Sequence, residues 1–156
     1  IGKMKDTLEG RSVGILVNDG SDAAAVRALR KAAEDAGATV KIVAPKLGGA
    51  TLSDGRKLPA DGQLAGTPST VFDAVALVLS KDGGAMLATE AAAVDFVRDA
   101  FGHLKAIAYD AGATAVLQAG GIEPDAGVVD AGNPKAFIKA AKQRFWDREE
   151  KVRMLP

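Results

Sequence analysis

The sequence predicts a three-layer α/β domain, in which a doubly wound, mostly parallel sheet is covered by helices on both faces and carries a small β-hairpin insertion. Two observations carry this expectation. Short, almost wholly apolar runs alternate with longer amphipathic segments, the pattern of buried parallel strands and their crossover helices. The length, 156 residues, suits one domain with a real core and is too short for two ordinary ones.

The elements follow in order. "RSVGILVND" is a continuous apolar run bounded by polar residues, as expected for a strand buried on both faces. "GSDAAAVRALRKAAEDAG" is a helix, with Ser21 or Asp22 available as the cap and Val26, Leu29 and Ala33 on one face. Gly37 stands where a C-terminal glycine is favoured. "ATVKIVAPK" is the second strand. Asp54-Gly55 lies between Thr51-Leu52 and Lys57-Leu58, a local hairpin signal.

"TVFDAVALVLS" is the next buried strand, with "SKDGGAM" read as the loop that leaves it. Val94, Val97 and Phe101 share helical spacing in "TEAAAVDFVRDAFGHL", and "KAIAYD" is another strand. "IAYDAGATAVLQAG" then turns tightly from that strand into an Ala-rich helix. "AGVVDAG" is a short last strand. Asn133 as cap and Pro134 at the first helical position open the final helix, striped by Phe137, Ile138, Ala141 and Phe145. About five parallel strands in this order make a flavodoxin-like domain over residues 11–146. Residues 1–10 and 147–156 read as terminal arms, and the start at Ile1 suggests a piece of a longer polypeptide.

Composition narrows the function. Twenty Lys plus Arg balance twenty Asp plus Glu, so the chain lacks the clustered positive charge of a nucleic-acid binder. No apolar run is long enough to span a membrane, and the N-terminal stretch is too polar for a secretory signal. Zero cysteines exclude disulfides, thiolate metal sites and cysteine nucleophiles, and fit a cytoplasmic location. A single histidine, His103, cannot build a histidine metal cluster. It falls at a helix end, where a protonated imidazole complements the dipole.

In such sheets ligands bind at the carboxyl ends of the strands, where strand order reverses. Three loops are expected to meet there: "NDGSDA", "SKDGGAM" and "YDAGAT". The first offers a helix N-terminus to a phosphate or flavin, but without a dinucleotide or P-loop fingerprint, and with Asp19 and Asp22 repelling anions. Asp19, Asp82 and Asp110 could converge on Mg²⁺, as in a phosphoacceptor domain, or serve as turn aspartates. Trp146, the only tryptophan, sits in "RFWDREE" and either anchors an interface or closes the domain's own core.

The order of elements and loops resembles the PfpI/DJ-1 branch of the class I glutamine amidotransferase-like fold. The elbow of that branch reads Cys-His-Gly, followed by a helix ending near Ala-Gly. Alignment through Gly112 and Ala119-Gly120 puts Asp110 at the cysteine position and Ala111 at the histidine position. The supporting acid falls on Asp22. The resemblance therefore implies a degenerate site, with Asp22, Asp110 and Ala111 in place of a working one. A carboxylate without a neighbouring base does not replace a thiolate and imidazole, and Asp110 close to Asp22 implies like-charge repulsion.

A closer resemblance covers nearly the whole chain. "LEGRSVGILVNDGSDAAAVRAL", the "A-x-L-S-D-G-x-x-L-P-A-D" hairpin segment, "FGHLKAIAYDAGA" and "RFWDRE" are similar to the C-terminal domain of large-subunit haem catalases. The resemblance implies an accessory domain without catalysis, metal or cofactor of its own, appended to a hydrogen-peroxide-dismutating core that holds the haem. Implied partners are that core, neighbouring subunits of a homotetramer, and unfolding client proteins. Implied roles are stability, tetramer assembly, channel access and chaperone-like holding. Two alternatives stay open: a PfpI/DJ-1-like hydrolase or aldehyde-detoxifying enzyme with an altered elbow, and a small-molecule-binding flavodoxin-like module. Asp110→Cys with Ala111→His is expected to leave the fold intact.

Overall fold

The computed structural model describes residues 7–143. Strands β1 (Ser12–Val17), β2 (Thr39–Ala44), β5 (Gly62–Gln63), β6 (Ala74–Val78), β7 (Ala106–Tyr109) and β8 (Val128–Asp130) form one sheet, ordered β5-β2-β1-β6-β7-β8. Every neighbouring pair in it is parallel. β3 (Ala50–Thr51) and β4 (Lys57–Leu58) form the separate antiparallel hairpin. Strand order reverses beside β1, which pairs with β2 on one side and β6 on the other.

Helices α1 (Ala23–Asp35) and α5 (Pro134–Ala141) cover one face. There Val26, Leu29 and Phe137 pack on Val13, Ile15 and Val17 of β1. Helices α2 (Lys81–Leu87), α3 (Ala91–Gly102) and α4 (Thr114–Ala119) cover the other, where Phe96, Val97 and Val116 meet Leu16, Val75, Leu77 and Ile107. The alternation of Ile15 and Leu16 between the two clusters is the period-2 geometry of a strand buried on both sides. Gly14 breaks the apolar run because the Phe72 ring, tilted against Phe96 with centroids 6.5 Å apart, fills the space a Cβ would need.

The structure differs from the sequence-based expectation in three places. "KDGGAML" is a helix, capped by Ser80 Oγ accepting from Gly83 N at 3.1 Å, and not a loop. Leu8, assigned to the N-terminal arm, is 1% exposed within the core, with its N–H bonded to the Ala36 carbonyl at the end of α1. A sixth parallel strand, β5, extends the sheet beyond β2. Phe145, Trp146, the first six residues of the N-terminal arm and the arm at 147–156 lie outside the described residues.

Candidate functional site

The three expected segments do meet at the carboxyl edge of the sheet. After β1, Asn18 turns the chain into α1 through a buried polar knot. Ser21 Oγ accepts the Asn18 N–H at 2.9 Å and donates to the Val78 carbonyl at the end of β6. Asn18 Oδ1 accepts the Ser80 N–H at 3.0 Å, so one amide ties the exit of β1 to the exit of β6. By sequence, Ser21 and Asp22 were both available as the helix cap. That role belongs to Asp22, which accepts from Ala25 N at 3.1 Å while exposed to solvent.

The hairpin closes over the start of α1. Ser53 Oγ accepts the Ala23 N–H at 2.9 Å, and Ser53 N donates to the Ser21 carbonyl. Gly20 N donates to Thr51 O, and Asp19 Oδ1 accepts from Thr51 N at 2.9 Å. The donors that could have cradled a phosphate at this turn, Gly20, Ala23 and Ala25, are thus spent within the protein. At the hairpin tip Arg27 pairs with Asp54. The Arg56 amide and that guanidinium hold Asp54 below its ordinary carboxylate range.

After β7, Asp110 opens a 3-10 turn, Ala111–Ala113, that leads into α4. Its backbone is relaxed and extended, with φ −107°. Both carboxylate oxygens accept the Leu79 N–H at 3.2 Å, and Oδ1 accepts from Ala113 N at 3.1 Å. Burial pushes the Asp110 carboxyl above its ordinary range, the amide donors of Leu79 and Ala113 pull it down, and Asp22 adds a further upward push. The structure therefore brings Asp22 and Asp110 within electrostatic reach of each other, with Ala111 exposed beside them.

Close backbone approach builds the floor. A Cβ on Gly112 would collide with the Leu79 carbonyl, and one on Gly84 with the Gly112 carbonyl. These glycines let α2, the elbow and the end of β6 touch. The sequence showed the Gly83-Gly84 pair but not its purpose. Its available signal was Ser80 three residues before Gly83, a capping spacing that the glycines obscured.

A cleft of about 830 Å³ opens beside this elbow, with Asn18, Lys46, Ser80, Lys81, Met86 and Leu87 in its wall. Neither Asp22 nor Asp110 lines it. Asp82 reaches it from the first turn of α2, and Asp19 from the turn after β1. Among the described residues no three acidic or histidine side chains are grouped to hold a metal ion. His103 is the exposed C-cap of α3, at the opposite edge of the sheet. Chemically, the elbow presents a half-buried carboxylate engaged by two amides, with neither thiol nor imidazole beside it.

Comparison with known proteins identifies the lineage. The sequence model of the C-terminal domain found in long catalases matches residues 9–150. The chain belongs to that family. Within it, the chain is 41% identical to "Catalase C" of Rhizobium meliloti, covering 94% of this chain and 22% of that protein. It is 32% identical to "Catalase HPII" of Pseudomonas putida, covering 96% of this chain and 21% of that protein. This long-catalase C-terminal domain thus spans about a fifth of the length of the curated relatives it matches.

Solved structures share its fold. Toxoplasma gondii DJ-1 in an oxidised form superposes with a TM-score of 0.65 at 17% identity, over 84% of this chain and 86% of that one. A two-domain protein from Anabaena variabilis, containing DJ-1/ThiJ/PfpI-like and ferritin-like domains, gives 0.64 at 21% identity, over 70% and 33%. The flavodoxin-like, PfpI/DJ-1-type architecture expected from the sequence is the one present. Among the described residues no helix is long and apolar enough to cross a membrane.

Proposed function

We propose that this chain is a non-catalytic accessory domain of a long haem catalase, acting through its surfaces to stabilise and help assemble the parent enzyme. The observation that carries the reading is the employment of Asp110. Where the related fold mounts a nucleophile, this carboxylate accepts two backbone amides and braces β6 against β7. A group so engaged, with Ala111 in place of the neighbouring histidine, serves packing rather than covalent chemistry.

Haem belongs to the parent core in this proposal. The described residues do not fit it: the lone histidine is an exposed helix end, remote from the cleft. Peroxide dismutation likewise belongs to that core in a homotetrameric parent, while shaping channel access and chaperone-like holding of unfolding clients are further roles proposed for this domain. A cytoplasmic setting accords with the absence of cysteine.

The test compares a long catalase carrying this domain with the same enzyme lacking it. Faster thermal inactivation or loss of the tetramer, with peroxide turnover per haem unchanged at moderate temperature, is the expected result. Turnover of glyoxals or peptides by the chain, abolished by Asp110→Ala, would instead establish a carboxylate-based hydrolase. A second reading, a small-molecule module, draws on the cleft beside Met86. Flat thermal-shift profiles with FMN, nucleotides, and Mg²⁺ plus acetyl phosphate set it aside.

A further inference from the structure

We infer that the 3-10 turn Ser69–Val71, led by Val71, is the point at which this domain docks on the preceding part of a long-catalase polypeptide; the inference rests on the accessory-domain reading and deepens it. Val71 is one of three large apolar side chains that are strongly exposed among the described residues, at 59%. It sits just ahead of β6, and its carbonyl accepts from Ser12 Oγ at 3.2 Å, at the first residue of β1. Long catalases carry this domain at their C-terminal end, and the matched relatives hold roughly four-fifths of their length outside it. The rest of such a polypeptide therefore arrives through Leu8 and Arg11, at the edge of the sheet where Val71 stands.

The turn is held from below. Lys105, 6% exposed, donates Nζ to the carbonyls of Thr70 at 3.0 Å and Ser69 at 3.3 Å. Phe72 N donates back to Ser69 O, and the Phe72 ring is locked into the core. Burying a lysine stem and ammonium to fix two carbonyls gives a rigid turn that faces Val71 outward. A preorganised apolar side chain loses little freedom on docking. The other two exposed apolar side chains, Leu47 and Met86, belong to the opposite, carboxyl edge beside the cleft.

The experiment is limited proteolysis of an intact long catalase bearing this domain, comparing Val71→Asp with Leu47→Asp and Met86→Asp. We expect Val71→Asp to release the domain about five- to tenfold faster, by cleavage ahead of Leu8. Leu47→Asp and Met86→Asp should release it at the parent rate. Equal rates for Val71→Asp and parent, or acceleration only by Leu47→Asp or Met86→Asp, overturn the inference. If Val71→Asp is instead cut within residues 12–141, the milder Val71→Ser decides by the same criterion. Should Val71 prove neutral while removal of the whole domain still weakens the enzyme, the docking edge is wrong and the accessory reading stands. A removal without effect would sink that reading itself.

Discussion

The carboxylate of Asp110 accepts the Leu79 N–H through both oxygens at 3.2 Å, joining the exit of β7 to the exit of β6. Those residues are 31 positions apart in sequence, so the bond is a tertiary brace at the elbow between β7 and α4. Asp110→Ala leaves the Leu79 amide without that acceptor, and we expect a loss of about 1–3 kcal/mol in urea unfolding. Asp110→Asn retains an acceptor oxygen and should lose less. The pair Asp110→Cys with Ala111→His, which sequence alone suggests is tolerated, removes the same acceptor and should destabilise like Asp110→Ala.

The upward push on Asp110 has a signed consequence for stability. A carboxyl whose folded pKa lies above its unfolded value binds its proton more tightly when folded. Its contribution is therefore fully present below the ordinary Asp value of 3.8 and is lost as pH rises through the folded value. Stability of the parent relative to Asp110→Asn should decline from about pH 4 upward and then level off. Urea midpoints for both proteins across pH 3.5–7 check this; a difference that grows with pH contradicts it.

Gly84 lies inside α2, where alanine would ordinarily favour the helix by about 1 kcal/mol. Its missing Cβ accommodates the Gly112 carbonyl. Gly84→Ala should thus destabilise by about 1–3 kcal/mol, reversing the usual sign. Gly66, with open space around its Cβ direction, is the control: Gly66→Ala should stay within about 0.5 kcal/mol of the parent.

Ser21 is fully buried, and its hydroxyl serves both Asn18 N and Val78 O. Ser21→Ala leaves a donor and an acceptor unsatisfied together, at a cost of about 2–3 kcal/mol. Ser53→Ala removes only the cap on Ala23 and should cost about 1 kcal/mol. Thermal melts of the two variants should rank them in that order.

What could be read from the sequence was local. The α1 face of Val26, Leu29 and Ala33, the turn at Gly37 with φ +100°, and the Asn133-Pro134 start of α5 each announce themselves within a few residues. The hairpin around Asp54-Gly55 did so too. Helix α2 was hidden because Gly83 and Gly84 are chosen for contact with Asn18 and Gly112, which outweighs their poor helix propensity. Leu8 looked like part of a polar arm because its partner, Ala36, comes a whole helix later. At the elbow the cap role open to Asp22 was legible and is the one it fills, whereas Asp110 is a brace whose partner no spacing rule connects to it.

The placement of β1 between β2 and β6 also sets an order of events during synthesis. β1 and β2 leave the ribosome as a half-sheet whose open edge, Val13 to Val17, cannot be paired until β6 follows the hairpin and β5. Until then Ile15 and Leu16 have a partner strand on one side only. Parallel sheets assembled from distant segments fold slowly and leave sticky edges waiting. A nascent chain stalled before Ala74 would therefore be the form most prone to aggregate, and the form for which timely help from a ribosome-bound chaperone matters most.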